Sequence, residues 1–257
     1  MSQPLAGMGV LVTRPAHQAS HFINLLQQSG ARTYALPTIE IQALTISDEL
    51  KQHLLQSSRY QIVIFISANA VQWGIPHLKK CAVQQIAAIG EGSARALGAQ
   101  GWHVDLVADS GFTSEDLLDL PALQASALAG KHILIVRGKG GREFLGEILQ
   151  SRGAVVEYAE VYRRCQPQVD TQWLAPLWQQ HIHLVCVTSN ETLENLYHML
   201  KQYRDQLLHT TLLVPGNRAY QLAQSLGFTN IILAASASDN NMLQRIIQWH
   251  NQPLTGI

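Results

Sequence analysis

Short runs of apolar, mostly β-branched residues recur along the chain: "VLVT" (10–13), "IVIFI" (62–66), "IAAI" (86–89), "HILIV" (132–136), "HLVCV" (183–187), "TLLV" (211–214) and "NIILA" (230–234). Runs without polar alternation fit strands buried on both faces, as in parallel sheets. The segments between them carry a different period. Ala19, Phe22, Ile23 and Leu26 fall at i, i+3, i+4 and i+7, as do Leu193, Leu196, Tyr197 and Leu200, and Ala219, Leu222, Ala223 and Leu226. That spacing predicts amphipathic helices. Met242, Ile246 and Trp249 form one stripe of a closing helix within 236–250. Strand and helix alternating many times predicts an α/β fold.

The pattern also repeats. Residues 10–41, "VLVTRPAHQASHFINLLQQSGARTYALPTIEI", align without a gap on residues 133–164, "ILIVRGKGGREFLGEILQSRGAVVEYAEVYRR". Arg14 falls on Arg137 and Gly30-Ala31 on Gly153-Ala154. "IFISANAV" (64–71) matches "VCVTSNET" (185–192), with Asn69 on Asn190, and 88–102 resembles 214–228 more loosely. Two similar α/β halves follow, each a parallel sheet flanked by helices.

In open parallel sheets ligands gather at the carboxyl ends of strands. The residues there are "TRPA" (13–16), "SANA" (67–70), "GEGS" (90–93), "RGKGGR" (137–142), "TSNE" (188–191) and "PGNR" (215–218). Each precedes a helical pattern, so free N–H groups and the positive helix end favour anions. A dinucleotide loop needs glycine where Glu143 and Arg95 stand, and the repeat partner of "RGKGGR" has no glycine. What the copies share is arginine, so Arg14 and Arg137 are candidate ligand cations, against a surface ion pair contributing about 0–1 kcal/mol. Lys139 and Arg142 read as solvated loop charges that add positive field. "SAN" (67–69) and "TSN" (188–190) read first as helix N-caps. No G-x-S-x-G elbow or carboxylate dyad is present. His17 and His21 share a helix face at i, i+4 but lack the glutamate of H-E-x-x-H, so no metal site is expected. Tyr162 interrupts "AEVYRR" (159–164) opposite Ile39. It is either a packed strand tyrosine or a proton donor in a cleft.

Composition narrows the classes. With 257 residues and 47% hydrophobic content the chain can bury a sizeable core, in one large domain or two small ones. Zero net charge gives no reason to expect nucleic acid or an anionic membrane as partner. No apolar run approaches a membrane span, and "MSQPLAGMG" lacks the features of a signal peptide. Three scattered cysteines (Cys81, Cys165, Cys186) without C-x-x-C spacing suggest reduced thiols in the cytoplasm. A two-lobed binding protein remains a rival, though such proteins are usually exported. A nucleotide-dependent enzyme is weakened by the broken glycine pattern.

"LVTRPAHQA", "ALPTIEI", "FISANAV", "AAIGEGSARAL", "GFTSEDLL", "EVYRR" and "VCVTSNETLENL", in this order over nearly the whole chain, resemble the uroporphyrinogen-III synthase family. The resemblance implies two α/β domains joined by a two-stranded ladder, "PTIEIQ" (37–42) against "AEVYRR". It places 1–36 and 166–257 in one domain and 37–165 in the other, with the active site in the cleft between them. It implies cyclisation of linear hydroxymethylbilane to uroporphyrinogen III, with inversion of the last pyrrole ring and no cofactor. The substrate would come from hydroxymethylbilane synthase to a monomeric, cytoplasmic enzyme. Tyr162 becomes the expected general acid. Ser67, Thr188 and the amides of Ser67, Ala68, Asn69, Thr188, Ser189 and Asn190 are expected to grip carboxylates, with Gly90, Gly138 and Lys139 in neighbouring loops. The family often carries a threonine-bearing loop where this chain has "VPGNRA"; Arg218 is expected to serve there instead.

Overall fold

A computed structural model describes residues 3–79, 84–108, 113–141, 143–178 and 180–252. Cys81 and Arg142 lie outside them. The strands are β1 (Gly9–Val12), β2 (Arg32–Ala35), β3 (Glu40–Ala43), β4 (Ile62–Phe65), β5 (Gln85–Ala88), β6 (Leu106–Val107), β7 (His132–Gly138), β8 (Val155–Cys165), β9 (Leu184–Cys186), β10 (Thr211–Val214) and β11 (Ile231–Leu233). The α-helices are α1 (Ala16–Gln28), α2 (Asp48–Leu55), α3 (Ala68–Gly74), α4 (Glu91–Ala99), α5 (Ser114–Leu118), α6 (Ala125–Leu128), α7 (Phe144–Ser151), α8 (Ala175–Trp178), α9 (Asn190–Met199), α10 (Arg204–His209), α11 (Asn217–Ser225) and α12 (Asp239–His250).

Each of the seven apolar runs contains a strand: β1, β4, β5, β7, β9, β10 and β11. The helical stripes are α1, α9 and α11, and the closing helix is α12. Two strands lacked a signal. β2 reads "RTYA" and β6 only "LV", and both are at most partly buried. They are edge strands, where one flank meets no neighbour and an apolar run is not required.

The chain divides into two units, Met1–Glu40 with Cys165–Ile257, and Ile41–Arg164. The first holds a sheet ordered β11-β10-β9-β1-β2, with every pair parallel. The second holds β6-β5-β4-β7-β8 in parallel, with β3 added beside β8. Through the repeat, β7 and β8 correspond to β1 and β2, and β4 and β5 to β9 and β10. The strand order is therefore the same in both units, but the chain enters it at a different strand. β3 runs against β8: Leu44 N donates to Val161 O at 3.0 Å, while the earlier Gln42 accepts from the later Arg163. This is the pairing expected of "PTIEIQ" with "AEVYRR".

Each unit packs helices on both sheet faces. Val10, Val12 and Cys186 meet Phe22 and Leu26 of α1 and Met242 and Ile246 of α12. Leu11, Val185 and Val214 point the other way, to Leu193 and Leu196 of α9 and Ala219 of α11. In the second unit Val63, Phe65, Leu134 and Val136 meet α3 and α4, and Ile62, Ile64, Ile133 and Ile135 meet α5 and α7. Burying one such side chain contributes about 1.5–3 kcal/mol.

Gly9 marks the tightest approach to β1. A Cβ there would lie 1.5 Å from the backbone oxygen of His181, and backbone cannot swing aside as a side chain can. Gly9 also donates to His183 Nδ1 at 2.9 Å and accepts from His183 N at 2.9 Å. Gly9→Ala is expected to lower unfolding free energy by about 1–3 kcal/mol, read from the urea midpoint at unchanged slope.

Candidate functional site

In a sheet wound in both directions, the helices on either side of the point where strand order reverses leave a crevice at the carboxyl edge. The reversal falls between β1 and β9 in the first unit and between β7 and β4 in the second.

In the first unit a cleft of about 500 Å³ opens at the ends of β9 and β10, lined by Thr188, Ser189, Asn190, Pro215, Gly216 and Arg218 among others. Four of the residues singled out from sequence thus meet in one place. Ser189 caps α9, its Oγ accepting from Thr192 N at 3.1 Å. Gly216 precedes α11 and offers no side-chain cap, so the first amides of that helix are open to a ligand. Two helix N-termini and the exposed guanidinium of Arg218 bring positive charge to the cleft, which Glu191 also lines. No carboxylate among the described residues pairs with Arg218.

In the second unit Ser67 caps α3, accepting from Ala70 N at 3.0 Å, and lies 3.1 Å from Tyr162 Oη. Ala68 is exposed, and Asn69 is buried in the first turn of α3. Gly90 precedes α4 without a side-chain cap. Tyr162 is only 2% exposed. Its ring lies against Gly138, where a Cβ would stand 2.6 Å from the ring carbons. The register shifts between Arg137 and Gly138, which puts Gly138 opposite Tyr162. Lys139 is exposed, and its N–H donates to Tyr162 O at 2.8 Å. A second cleft of about 570 Å³ has an apolar floor of Ile66, Ile89, Ile135 and Leu145, bordered by Arg137, Tyr158 and Arg164.

Arg14 and Arg137 are both held in ion pairs within their own units, and Arg137 also borders the second cleft. Arg14 pairs with Asp239 and donates to Ala237 O at 2.8 Å, with its guanidinium 4.7 Å from the Phe22 ring centre. The side chain of Arg137 is 8% exposed; it meets Glu143 at 2.7 Å and Glu160 at 3.1 Å. It also donates to Gly141 O at 3.4 Å and lies 4.0 Å from the ring centre of Tyr158. Both arginines leave Nε buried without a partner among the described residues. Desolvation makes such a charge costly unless it is paired, so each is answered from within its own unit. Internal pairing thus engages both guanidiniums.

Burial works against the charge on Arg137, but Glu143 and Glu160 outweigh it and hold the guanidinium above its ordinary range. Glu143 is held below the usual carboxylate value by hydrogen bonds from Arg137 and from Tyr158. Tyr158 is raised by burial and by its bond to Glu143. Burial pushes the Cys186 thiol up as well, which keeps it protonated and inert. Nothing in the sequence announced Glu143, Tyr158, Glu160 or Asp239. Glu160 lies in "EVYRR" and Glu143 breaks the glycine pattern, but only position in space makes each of the four a partner. His21 also turns to Asp239, at 2.5 Å. Among the described residues no group of three His, Cys, Asp or Glu gathers as for a metal ion, and no helix is long and apolar enough to cross a membrane.

Residues 20–244 match the family model described as uroporphyrinogen-III synthase HemD. The chain is 35% identical over 249 residues to the uroporphyrinogen-III synthase of Escherichia coli (strain K12), spanning 94% of this chain and 100% of that one. It is 32% identical over 210 residues to that of Synechococcus elongatus, spanning 77% and 76%. The fold is shared with uroporphyrinogen-III synthetase of Helicobacter pylori 26695, at a TM-score of 0.62, 16% identity and coverage of 94% and 99%.

The Glu143 pairing sets a pH dependence. Its carboxyl is depressed below 4.5, so the stability it contributes is present above that value and is lost as pH falls through the folded-state pKa. Between about pH 5 and 3, the denaturant midpoint of Glu143→Gln is expected to fall less than that of the wild-type protein.

Proposed function

The chain belongs to the uroporphyrinogen-III synthase family, and from that premise we propose that the loops at the carboxyl ends of its parallel strands hold the substrate, with Tyr162 as the acid. The enzyme cyclises hydroxymethylbilane to uroporphyrinogen III in tetrapyrrole biosynthesis. Every pyrrole of that substrate carries acetate and propionate arms. A chain of zero net charge meets so anionic a ligand through local fields rather than bulk attraction. Uncapped helix amides and Arg218 at the first cleft supply one such field. Thr188, Ser189 and Asn190 add hydroxyl, amide and backbone donors on the same edge.

The observation that carries the assignment of Tyr162 is its 3.1 Å contact with Ser67 at the point where strand order reverses. As the substrate's C–O bond breaks, its electron pair stays on oxygen. That oxygen takes a proton and leaves as water, and a cationic azafulvene remains. Tyr162 is the source of the proton, and Ser67, the more exposed of the pair, is the hydroxyl that hands it on. Ring closure through a spiro intermediate releases a proton from pyrrole carbon, which restores the phenol. Closure of the azafulvene without guidance gives the other isomer, so the rest of the task is positioning. Receipt of substrate from hydroxymethylbilane synthase, a monomeric state and a cytoplasmic location belong to the same proposal.

Incubation with freshly prepared hydroxymethylbilane, followed by oxidation and isomer separation, is expected to yield isomer III; isomer I alone would overturn the reading. Tyr162→Phe is expected to lower kcat about 100-fold or more with the unfolding midpoint little changed. Wild-type turnover in that variant would remove the acid role.

A further inference from the structure

Arg137 is the most heavily committed charge in the second unit. Its guanidinium reaches two carboxylates, a backbone oxygen and an aromatic face. Two of these, Glu143 and Gly141 O, belong to the loop that follows β7. The other two, Glu160 and Tyr158, belong to the neighbouring strand β8. Loop and strand are thus tied at several points around one cation.

That same loop begins at Gly138, against which the Tyr162 ring lies, and continues through Lys139, whose N–H holds Tyr162 O. Tyr162 follows Glu160 by two residues on β8, so a shift of the loop or of that strand moves the phenol relative to Ser67. We propose that Arg137 is a positioning residue: it latches Gly141 and Glu143, past the end of β7, onto β8 and thereby fixes the Tyr162–Ser67 pair. This rests on the reading of Tyr162 as the acid.

The first unit contains the same device at the equivalent position. Arg14 combines a carboxylate, a backbone oxygen and an aromatic ring, with Nε again unpartnered. There it holds the segment entering α12, far along the chain, instead of its own loop. The repeat has kept the cation and changed what it fastens. Two buried arginines with matching partner types argue for a function of holding, since a substrate ligand would need its donors free.

Direct binding and latching predict opposite results at Glu143, which is half-exposed. Full-length wild type, Arg137→Gln, Glu143→Gln and the double variant are assayed with hydroxymethylbilane for kcat, KM and isomer ratio. A latch predicts that either single change lowers kcat about 10- to 100-fold at near-constant KM, with product shifted toward isomer I. It also predicts that the double variant loses no more than the worse single one. Two outcomes overturn the latch: wild-type kcat in Glu143→Gln, or a raised KM in Arg137→Gln with none in Glu143→Gln. A loss of melting temperature with kcat per folded molecule unchanged also overturns it, leaving a structural role alone. Wild type yielding only isomer I would overturn the functional reading instead, so the two failures are distinguishable.

Discussion

Strands covered by helices on both faces leave no room for chemistry along their length, and this constraint organises the rest of the molecule. Val10, Leu11, Val12, Ile62, Val63, Ile64 and Phe65 have no exposed surface. A polar group at any of these positions would be stranded from water at a cost of several kcal/mol. Reactive and ligand-binding side chains are therefore displaced to the ends of the strands. The amino ends are followed backward by turns, whereas the carboxyl ends lead into helices whose first amides point outward. Open helix amides are thus gathered at one edge of each sheet before any particular residue is considered.

The same constraint explains why two charges at those edges carry internal partners. Arg14 and Arg137 stand one step past the buried stretch of a central strand, where desolvation is still strong. A guanidinium there is tolerable only with partners close by, and each unit supplies a carboxylate, a carbonyl and a ring. The planar fork of arginine suits such a set, while lysine would reach fewer of these partners at once. Arg218, farther out along its edge, is exposed.

Glycine contributes by absence. At Gly138 the missing side chain makes room for the Tyr162 ring, and at Gly146 it makes room for the Tyr158 hydroxyl, which a Cβ would approach to 1.8 Å. Both tyrosines project from β8 toward elements that follow β7. The glycines of "RGKGGREFLG" (137–146), which invite a phosphate-loop reading, thus serve the packing of aromatic rings and the turn at Gly140, whose φ of 74° suits glycine.

Much was legible in the one-dimensional pattern. The apolar runs locate the strands buried on both faces, because burial is a demand each residue meets with its own side chain. The internal repeat announces two like sheets, and the small polar residues after each run mark the edge where helix N-termini open. The pattern is silent on β2 and β6, since an edge strand makes no such demand. It is silent also on the partners of the arginines. Asp239 is 225 positions from Arg14, and a carboxylate that completes an ion pair carries no mark of it in its neighbours. Burial is written locally, so sequence determined the elements and their edge. Pairing of charges and the packing of Tyr162 on Gly138 depend on through-space proximity, which only the folded chain creates.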